Sequence, residues 1–320
     1  MREKKMITVN ELGEQWLKYV YLHVKYSTCA QYERTVKAHI APYFFDMKIE
    51  DLSFEFLQQY IQYLATSGNR RKKCGLSPKT INDILLVLKA MLNYLSLHGS
   101  REFDLPSIQL LRVPQKTVSV FEEADYQKLQ KYLTENINLS KLGILICLYT
   151  GLRIGEICAL QWKNIDLDRE LLCVSQTVYR TKNPENTLDA KISSSSKTKI
   201  ILSSPKTWHS ERKVPLSANL LKILKQFSLK YDKDIFVVTG TDCPMDPRTY
   251  QYQYRKYLKE CHIPYLSFHS LRHTFSTRCI ENGCDIKSLS EMLGHASTNV
   301  TLQKYVFSSY AQKKHFIDLL

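Results

Sequence analysis

Apolar positions in the first hundred residues recur with the 3.6-residue period of amphipathic helices. Four such stretches cover about residues 8–23, 28–40, 53–66 and 77–98. Ser77 supplies an N-cap and Pro78 the first helical position of the last stretch. Gly99 ends that stretch. The pattern therefore predicts a small helical domain over residues 1–98.

Residues 99–119 show no sustained period and contain two prolines, which indicates a linker between domains. Residues 120–320 combine both kinds of pattern and predict a second domain of mixed structure. Its helical patterns cover about residues 122–136, 139–149, 217–230, 247–260, 269–282, 285–293 and 298–305. Its strand patterns cover residues 171–178 and 199–216, and the polar residues 180–198 predict an exposed loop. We expect a mostly helical protein with a small antiparallel β-sheet in the second domain.

An excess of basic residues points to a polyanionic partner. The 320 residues include 45 Lys and Arg against 31 Asp and Glu, a formal charge of +14. Such an excess favours nucleic acid, with an anionic membrane surface as the alternative, because it raises encounter rates and releases counterions. The candidate contacts to a DNA backbone, or otherwise simply solvated side chains, are Arg70, Arg71, Lys72, Lys73, Arg112 and Lys116.

The cysteines indicate reduced thiols and argue against a metal or redox centre. There are nine, an odd number, and they are scattered without any Cys-x-x-Cys pair.

No apolar run approaches the ~18 residues of a membrane span, and the N-terminal residues lack the apolar stretch of a signal peptide. We therefore expect a cytoplasmic protein that does not enter a membrane.

Five residues in four separated motifs carry candidate chemistry. Arg153 lies between two glycines at the start of a helical pattern, where a guanidinium can grip an anion. His269 and Arg272 are three residues apart and hence on one face of a helix. His295 follows a glycine at the end of the next helical pattern, and Tyr305 lies in a final short helix. Each is weak evidence alone, since such residues are often structural and the chain has 20 tyrosines.

Taken in this order, the motifs resemble the catalytic signature of the tyrosine recombinase (phage integrase) family. The resemblance implies a helical domain that binds the core DNA site, over residues 1–98, and an α+β catalytic domain, over residues 120–320. It also implies that Glu156 supports the active-site arginine and histidine. In this family a lysine lies in a β-hairpin between the two arginines. Here Lys206 is the candidate, and the neighbouring lysines 197, 199 and 213 are alternatives.

The chemistry of phosphodiester cleavage suits these residue types. Arg153 and Arg272 can bind the non-bridging oxygens, and the two histidines can add hydrogen bonds and proton transfer. Tyr305 would be the nucleophile, and Lys206 would protonate the departing sugar oxygen. The cationic pocket would replace a metal ion, and a 3′-phosphotyrosine would conserve the bond energy. We therefore expect neither a metal nor a cofactor.

The family resemblance predicts a site-specific recombinase acting on double-stranded DNA as a homotetramer on two sites, integrating or excising a mobile element. The apolar C-terminal tail after Tyr305 would dock on its own catalytic domain or on the neighbouring protomer. The alternatives are a type IB topoisomerase, a resolvase of chromosome or plasmid dimers, and a non-catalytic DNA-binding protein of the same fold. A metal-dependent nuclease is disfavoured because no acidic or histidine cluster has metal-ligand spacing.

Overall fold

The structure is a computed structural model. It describes residues 7–69, 71–98, 106–114, 118–182, 198–203, 211–295, 297–305 and 317–318, with only the backbone for 182 and 303–305. The chain divides into two compact units, Met1–Lys116 and Thr117–Leu320. Each unit has its own apolar core. The predicted fold class, mostly helical with small antiparallel sheets, is confirmed.

The first unit is helical throughout its described core. Its helices are α1 (Val9–His23), α2 (Tyr26–Thr35), α3 (Ala41–Phe44), α4 (Phe54–Ser67) and α5 (Pro78–His98). A π-helical turn over Val36–Ile40 joins α2 to α3, so the predicted helix over 28–40 changes its winding partway. Thr8 caps α1 in a capping box with Glu11.

Helix α5 forms the centre of the first unit. Eight of its apolar side chains are buried, from Ile81 to Leu95, and they pack against α1, α2 and α4. Among the described residues, α5 is the one helix that is long and apolar enough to span a membrane. Its burial in this core accounts for that composition, since a core helix needs a wide apolar face.

Residues 106–114 form neither helix nor strand, but part of the segment packs on the first unit. Ile108 is buried in the core of that unit. Asn82 on α5 bonds the backbone of Leu111 in both directions, at 2.9 and 2.8 Å. The segment predicted as an extended linker is therefore partly an edge of the first unit.

The second unit surrounds a helix that is apolar on all sides. Its helices are α6 (Glu123–Thr134), α7 (Leu139–Thr150), α8 (Ile154–Cys158), α9 (Ala218–Ser228), α10 (Pro247–Glu260), α11 (His269–Glu281), α12 (Ile286–Leu293) and α13 (Thr298–Tyr305). Buried residues occupy nearly every position of α7, which packs against α6 and α11. Gly151, with φ +66°, ends α7 in the left-handed conformation that glycine tolerates best.

The strands form two small antiparallel sheets. They are β1 (Ile165–Asp166), β2 (Leu171–Val174), β3 (Thr177–Lys182), β4 (Thr198–Ser203) and β5 (Arg212–Pro215). One sheet has the order β1-β2-β5, and the other is the pair β3-β4.

The stretch predicted as one β-rich segment over 199–216 thus supplies strands to both sheets. In the described residues, β4 pairs with β3 and β5 pairs with β2. Because β4 and β5 are each hydrogen-bonded to a strand outside residues 199–216, they do not form a hairpin with each other. Lys206 lies in the connection between them, outside the described residues.

Candidate active site

Arg153 lies where α7 ends and α8 begins. Gly151 ends α7 in a left-handed conformation, and Arg153, two residues later, is the N-cap of α8 with an extended backbone. Its side chain is 37% exposed, so the guanidinium faces both the protein and the solvent. Its Nη1 donates to Glu156 Oε1 at 2.8 Å, and its backbone N donates to Oε2 at 2.8 Å.

Glu156, three residues later on α8, joins two arginines. Its carboxylate also accepts two hydrogen bonds from Arg212 on β5, Nη1 to Oε1 at 3.0 Å and Nη2 to Oε2 at 2.8 Å. The side chains of Arg212 and Glu156 are 5% and 6% exposed. Burial alone would raise the pKa of Glu156, but the hydrogen bonds and charge of Arg212, assisted by Arg153, hold that pKa at about 2. The carboxylate is therefore ionised at neutral pH.

Three arginines from distant parts of the sequence meet at the C-terminal end of α12. The carbonyls at a helix C-terminus lack intrahelical partners and carry the negative end of the helix dipole, so cations are favoured there. Each arginine donates to a different one of three consecutive carbonyls. The bonds are Arg212 Nε to Met292 O at 2.6 Å, Arg272 Nη2 to Leu293 O at 2.7 Å and Arg153 Nη2 to Gly294 O at 3.2 Å. The three guanidiniums therefore lie together at the C-terminal end of α12.

Arg272, on α11, lies beneath the surface of this cluster. It is 1% exposed and is among the largest fully buried side chains of the described chain. Besides its bond to α12, its Nη1 donates to Gly151 O at 2.9 Å. Its Nη2 lies 2.9 Å from His295 Nε2. Arg272 therefore ties the end of α7 to the end of α12.

His295 has a second partner on the helix of the predicted nucleophile. Its Nδ1 lies 2.8 Å from the hydroxyl of Thr301, a residue that is 0% exposed on α13. A guanidinium offers only donors, so Nε2 must accept from Arg272. The ring proton is then assigned to Nδ1, which donates to Thr301.

His269 occupies the first position of α11 and is exposed. Its ring lies edge-on to that of His273, with 4.3 Å between centroids. The spacing of three residues places His269 and Arg272 on one side of the helix, with the histidine at the surface and the arginine buried beneath it.

Tyr305 is the last described residue of α13, one turn beyond Thr301. Its side chain lies outside the described residues, as do Lys206, Arg70 and Lys116. The structure thus brings Arg153, Glu156, Arg272 and His295 into one bonded cluster. The other described candidates for DNA contact are exposed, namely Arg71, Lys72, Lys73 and Arg112.

Comparison with known families decides the affiliation of the chain. The family model described as "Phage integrase family" matches residues 119–312, which is more than half of the 320 residues. The chain belongs to the phage integrase family. A second description, "Phage integrase, N-terminal SAM-like domain", matches residues 8–65. The family prediction is confirmed, and this integrase-family chain is a tyrosine recombinase.

Curated relatives match this recombinase over most of its length. The "Tyrosine recombinase XerC-like" protein of Caldanaerobacter subterraneus subsp. tengcongensis is 26% identical and is aligned over 98% of this chain and 83% of its own. The ICEBs1 integrase of Bacillus subtilis is 23% identical over 89% of this chain and 75% of its own.

Solved structures show the same fold. The Tn1549 transposon integrase in complex with transposon right end DNA superposes with a TM-score of 0.75 at 21% identity, covering 98% of this chain and 99% of that one. A λ integrase dimer bound to a COC′ core site gives a TM-score of 0.65 at 14% identity, covering 93% and 95% of the two chains.

Two residues of the cluster are absent from the sequence-based prediction of the site. Arg212 is two positions before the buried Val214 on β5, hence on the same inward face of the strand, which is the signal that could have found it. Thr301 has a weaker signal, its position one helical turn before Tyr305.

Proposed function

We propose that this recombinase cuts and rejoins DNA strands through a covalent phosphate ester on Tyr305. The observation that carries the proposal is the convergence of Arg153, Arg272 and His295 at the end of α12, twelve residues before the tyrosine. Guanidiniums held in place before the reaction stabilise charge that develops on a phosphate, without the cost of reorganising them. DNA as substrate is supported by the complexes in which the Tn1549 integrase is bound to transposon DNA.

Each residue of the cluster then has a role. Arg153 and Arg272, held by adjoining carbonyls, would bind the non-bridging oxygens of one phosphate. Glu156 would act through Arg153, because its carboxylate accepts a hydrogen bond from that guanidinium and so holds it in place. His269, at the exposed start of α11, would add a hydrogen bond where the helix dipole also favours an anion. His295 would complete the pocket as a hydrogen-bonding and proton-transferring group.

The chemistry balances without a redox partner or an energy source. A histidine of the pocket accepts the proton of the Tyr305 hydroxyl, the Tyr305 oxygen attacks the phosphorus, a phosphotyrosine bond forms, and the bond to the 5′ oxygen of the leaving strand breaks. Lys206 supplies a proton to that oxygen. Attack by the 5′ hydroxyl of another strand then reverses these steps and releases the tyrosine. Strand exchange therefore needs no cofactor.

The two units divide the work in this proposal. The first, with residues 1–98 and the exposed Arg71, Lys72 and Lys73, would bind the core DNA site, and residues 120–320 would carry the chemistry. Arg112 and Lys116, in the connecting segment 99–119, would contact the DNA backbone. The net charge of +14 favours such a distributed interface with DNA.

We assign the biological reaction to integration or excision of a mobile element. The ICEBs1 and Tn1549 integrases are named for such elements, and both align with most of this chain. A second candidate is resolution of chromosome or plasmid dimers, because the XerC-like relative aligns with 98% of the chain. Recombination assays on element ends and on dimer-resolution sites would separate the two.

Assembly on DNA is the remaining part of the proposal. We infer a homotetramer on two sites, supported by a λ integrase tetramer bound to a Holliday junction, whose fold matches with a TM-score of 0.63. The C-terminal tail would dock on a neighbouring protomer. Ile317 is 64% exposed in the single chain, as expected of an apolar residue that is covered on assembly. The protein would work in the cytoplasm, where its DNA lies.

The test uses a suicide DNA substrate whose cleaved strand cannot be religated. Tyr305→Phe should bind this DNA with wild-type affinity, since only one hydroxyl is lost, and should form no covalent adduct. Tyr310→Phe, five residues further on, is the matched control and should trap DNA like the wild type. Trapping by Tyr305→Phe, with loss of trapping in Tyr310→Phe, would overturn the assignment.

A further inference from the structure

The hydroxyl of Thr301 bonds outside its own helix. Two other buried hydroxyls of the second unit bond back to the preceding turn, Thr150 to Ile146 O and Ser276 to Arg272 O. Thr301 is equally buried, yet its hydroxyl meets Nδ1 of His295, in the loop before α13, at 2.8 Å. A buried hydroxyl aimed at a ring nitrogen can control which nitrogen carries the proton.

The arrangement around His295 permits one assignment of that proton. Arg272 approaches Nε2 at 2.9 Å and has only N–H groups to offer, so Nε2 presents its lone pair. The proton of the neutral ring therefore resides on Nδ1, and the Thr301 oxygen accepts it. Without that oxygen, the Nδ1–H would lose its hydrogen bond to Thr301, and the ring would be freer to rotate and exchange tautomers.

Thr301 also belongs to the helix of the nucleophile. It lies four residues before Tyr305 on α13, and this helix packs against α11, which carries Arg272, and against α12. The contact with His295 therefore exists only while α13 is docked. The hydrogen bond between Thr301 and His295 therefore links the position of α13, which carries Tyr305, to the orientation of His295 in the phosphate pocket.

We propose that Thr301 is a positioning residue that fixes the Nδ1–H tautomer and the orientation of His295, and so couples docking of the Tyr305 helix to completion of the pocket. Its consequence for catalysis rests on the proposed function. The geometry resembles the way a carboxylate holds Nδ1–H of a catalytic histidine and so fixes the tautomer and orientation of the ring. Here a neutral hydroxyl performs that service.

The variants Thr301→Val and Thr301→Ser separate the hydroxyl from the shape of the side chain. Valine keeps the branched shape and loses the oxygen, whereas serine keeps the oxygen. Thr150→Val is the control, because it removes an equally buried hydroxyl that bonds only within its own helix. Cleavage of a suicide substrate by Thr301→Val should fall by about 10- to 100-fold, taking as a guide the loss seen when the hydrogen-bond partner of a metal-ligating histidine is removed. DNA binding should not change, and serine should restore most of the rate.

The direct readout is ¹⁵N NMR of the histidine rings in the full-length protein without DNA, with the His295 signal assigned from a His295→Gln sample. The wild type, Thr301→Ser and Thr150→Val should show His295 protonated at Nδ1, and Thr301→Val should show a mixture of tautomers. A wild-type ring protonated at Nε2 would overturn the proposal, and this result is available even if the valine variant does not fold. So would a Thr301→Val protein with an unchanged tautomer and wild-type cleavage. Because the NMR measurement needs no reaction, a wild type that shows the tautomer but forms no adduct would count against the proposed function alone.

Discussion

Arg212 and Glu156 form a bidentate ion pair whose two side chains are almost completely buried, with N–H···O distances of 3.0 and 2.8 Å. Burying two charges is expensive, and an apolar pair of similar volume is often as stable. The pair does more than join β5 to α8, because Glu156 also holds Arg153 and Arg212 also holds the end of α12. We conclude that the pair holds the cluster together and fixes the position of the Arg153 side chain.

Arg212→Met should therefore be strongly destabilising. It leaves the buried Glu156 carboxylate with Arg153 as its remaining described ionic partner, and breaking a buried pair in this way costs about 3–5 kcal/mol. The measurement is the free energy of unfolding in urea. Arg169→Met is the control, since Arg169 meets Asp166 at 3.9 Å on the surface, where a pair is worth about 1 kcal/mol or less. Equal losses in the two variants would contradict the role given to Arg212.

The low pKa of Glu156 predicts a specific response to acid. The native pKa of about 2 lies below the ordinary value of 4.5, so the ionised carboxylate stabilises the fold above pH 4.5, and this contribution is lost as the pH falls towards 2. Its size is on the order of 3 kcal/mol. The wild type should therefore exceed Glu156→Gln in unfolding free energy near pH 6, and the difference should shrink between pH 4.5 and 3. Other carboxylates titrate in both proteins and largely cancel. A difference that stays constant or grows would refute the assignment.

Periodicity predicted the longer helices of both units and the fold class, because these depend on residues close in sequence, and the order of four short motifs predicted the family. The cluster itself depends on partners far apart. Arg212 meets Glu156 across 56 positions, and Arg153 reaches Gly294 across 141. No local sequence feature shows that β5 pairs with β2 rather than with β4, or that Ile108 belongs to the core of the first unit. Such pairings follow from the tertiary fold, which the sequence pattern alone does not determine.

Lys206 is predicted to protonate the leaving oxygen, and sulfur substitution tests this. Lys206→Ala should cleave an ordinary substrate slowly but should recover on DNA whose 5′-bridging oxygen is replaced by sulfur, because a thiolate leaves with less need of a proton. The neighbouring Lys213→Ala should show little loss and little recovery. Failure of the sulfur to rescue Lys206→Ala, or equal rescue of both variants, would move the acid to another residue.

The covalent attachment to Tyr305 is the central claim, and mass spectrometry of the trapped adduct tests it most directly. Trypsin should release the peptide Tyr305–Lys313, which also contains Tyr310, so fragment ions are needed to locate the nucleotide. We predict that wild-type protein trapped on a suicide substrate carries the nucleotide mass on Tyr305, with Tyr310 unmodified. A nucleotide on Tyr310, on a serine of this peptide or on any other residue would contradict the account.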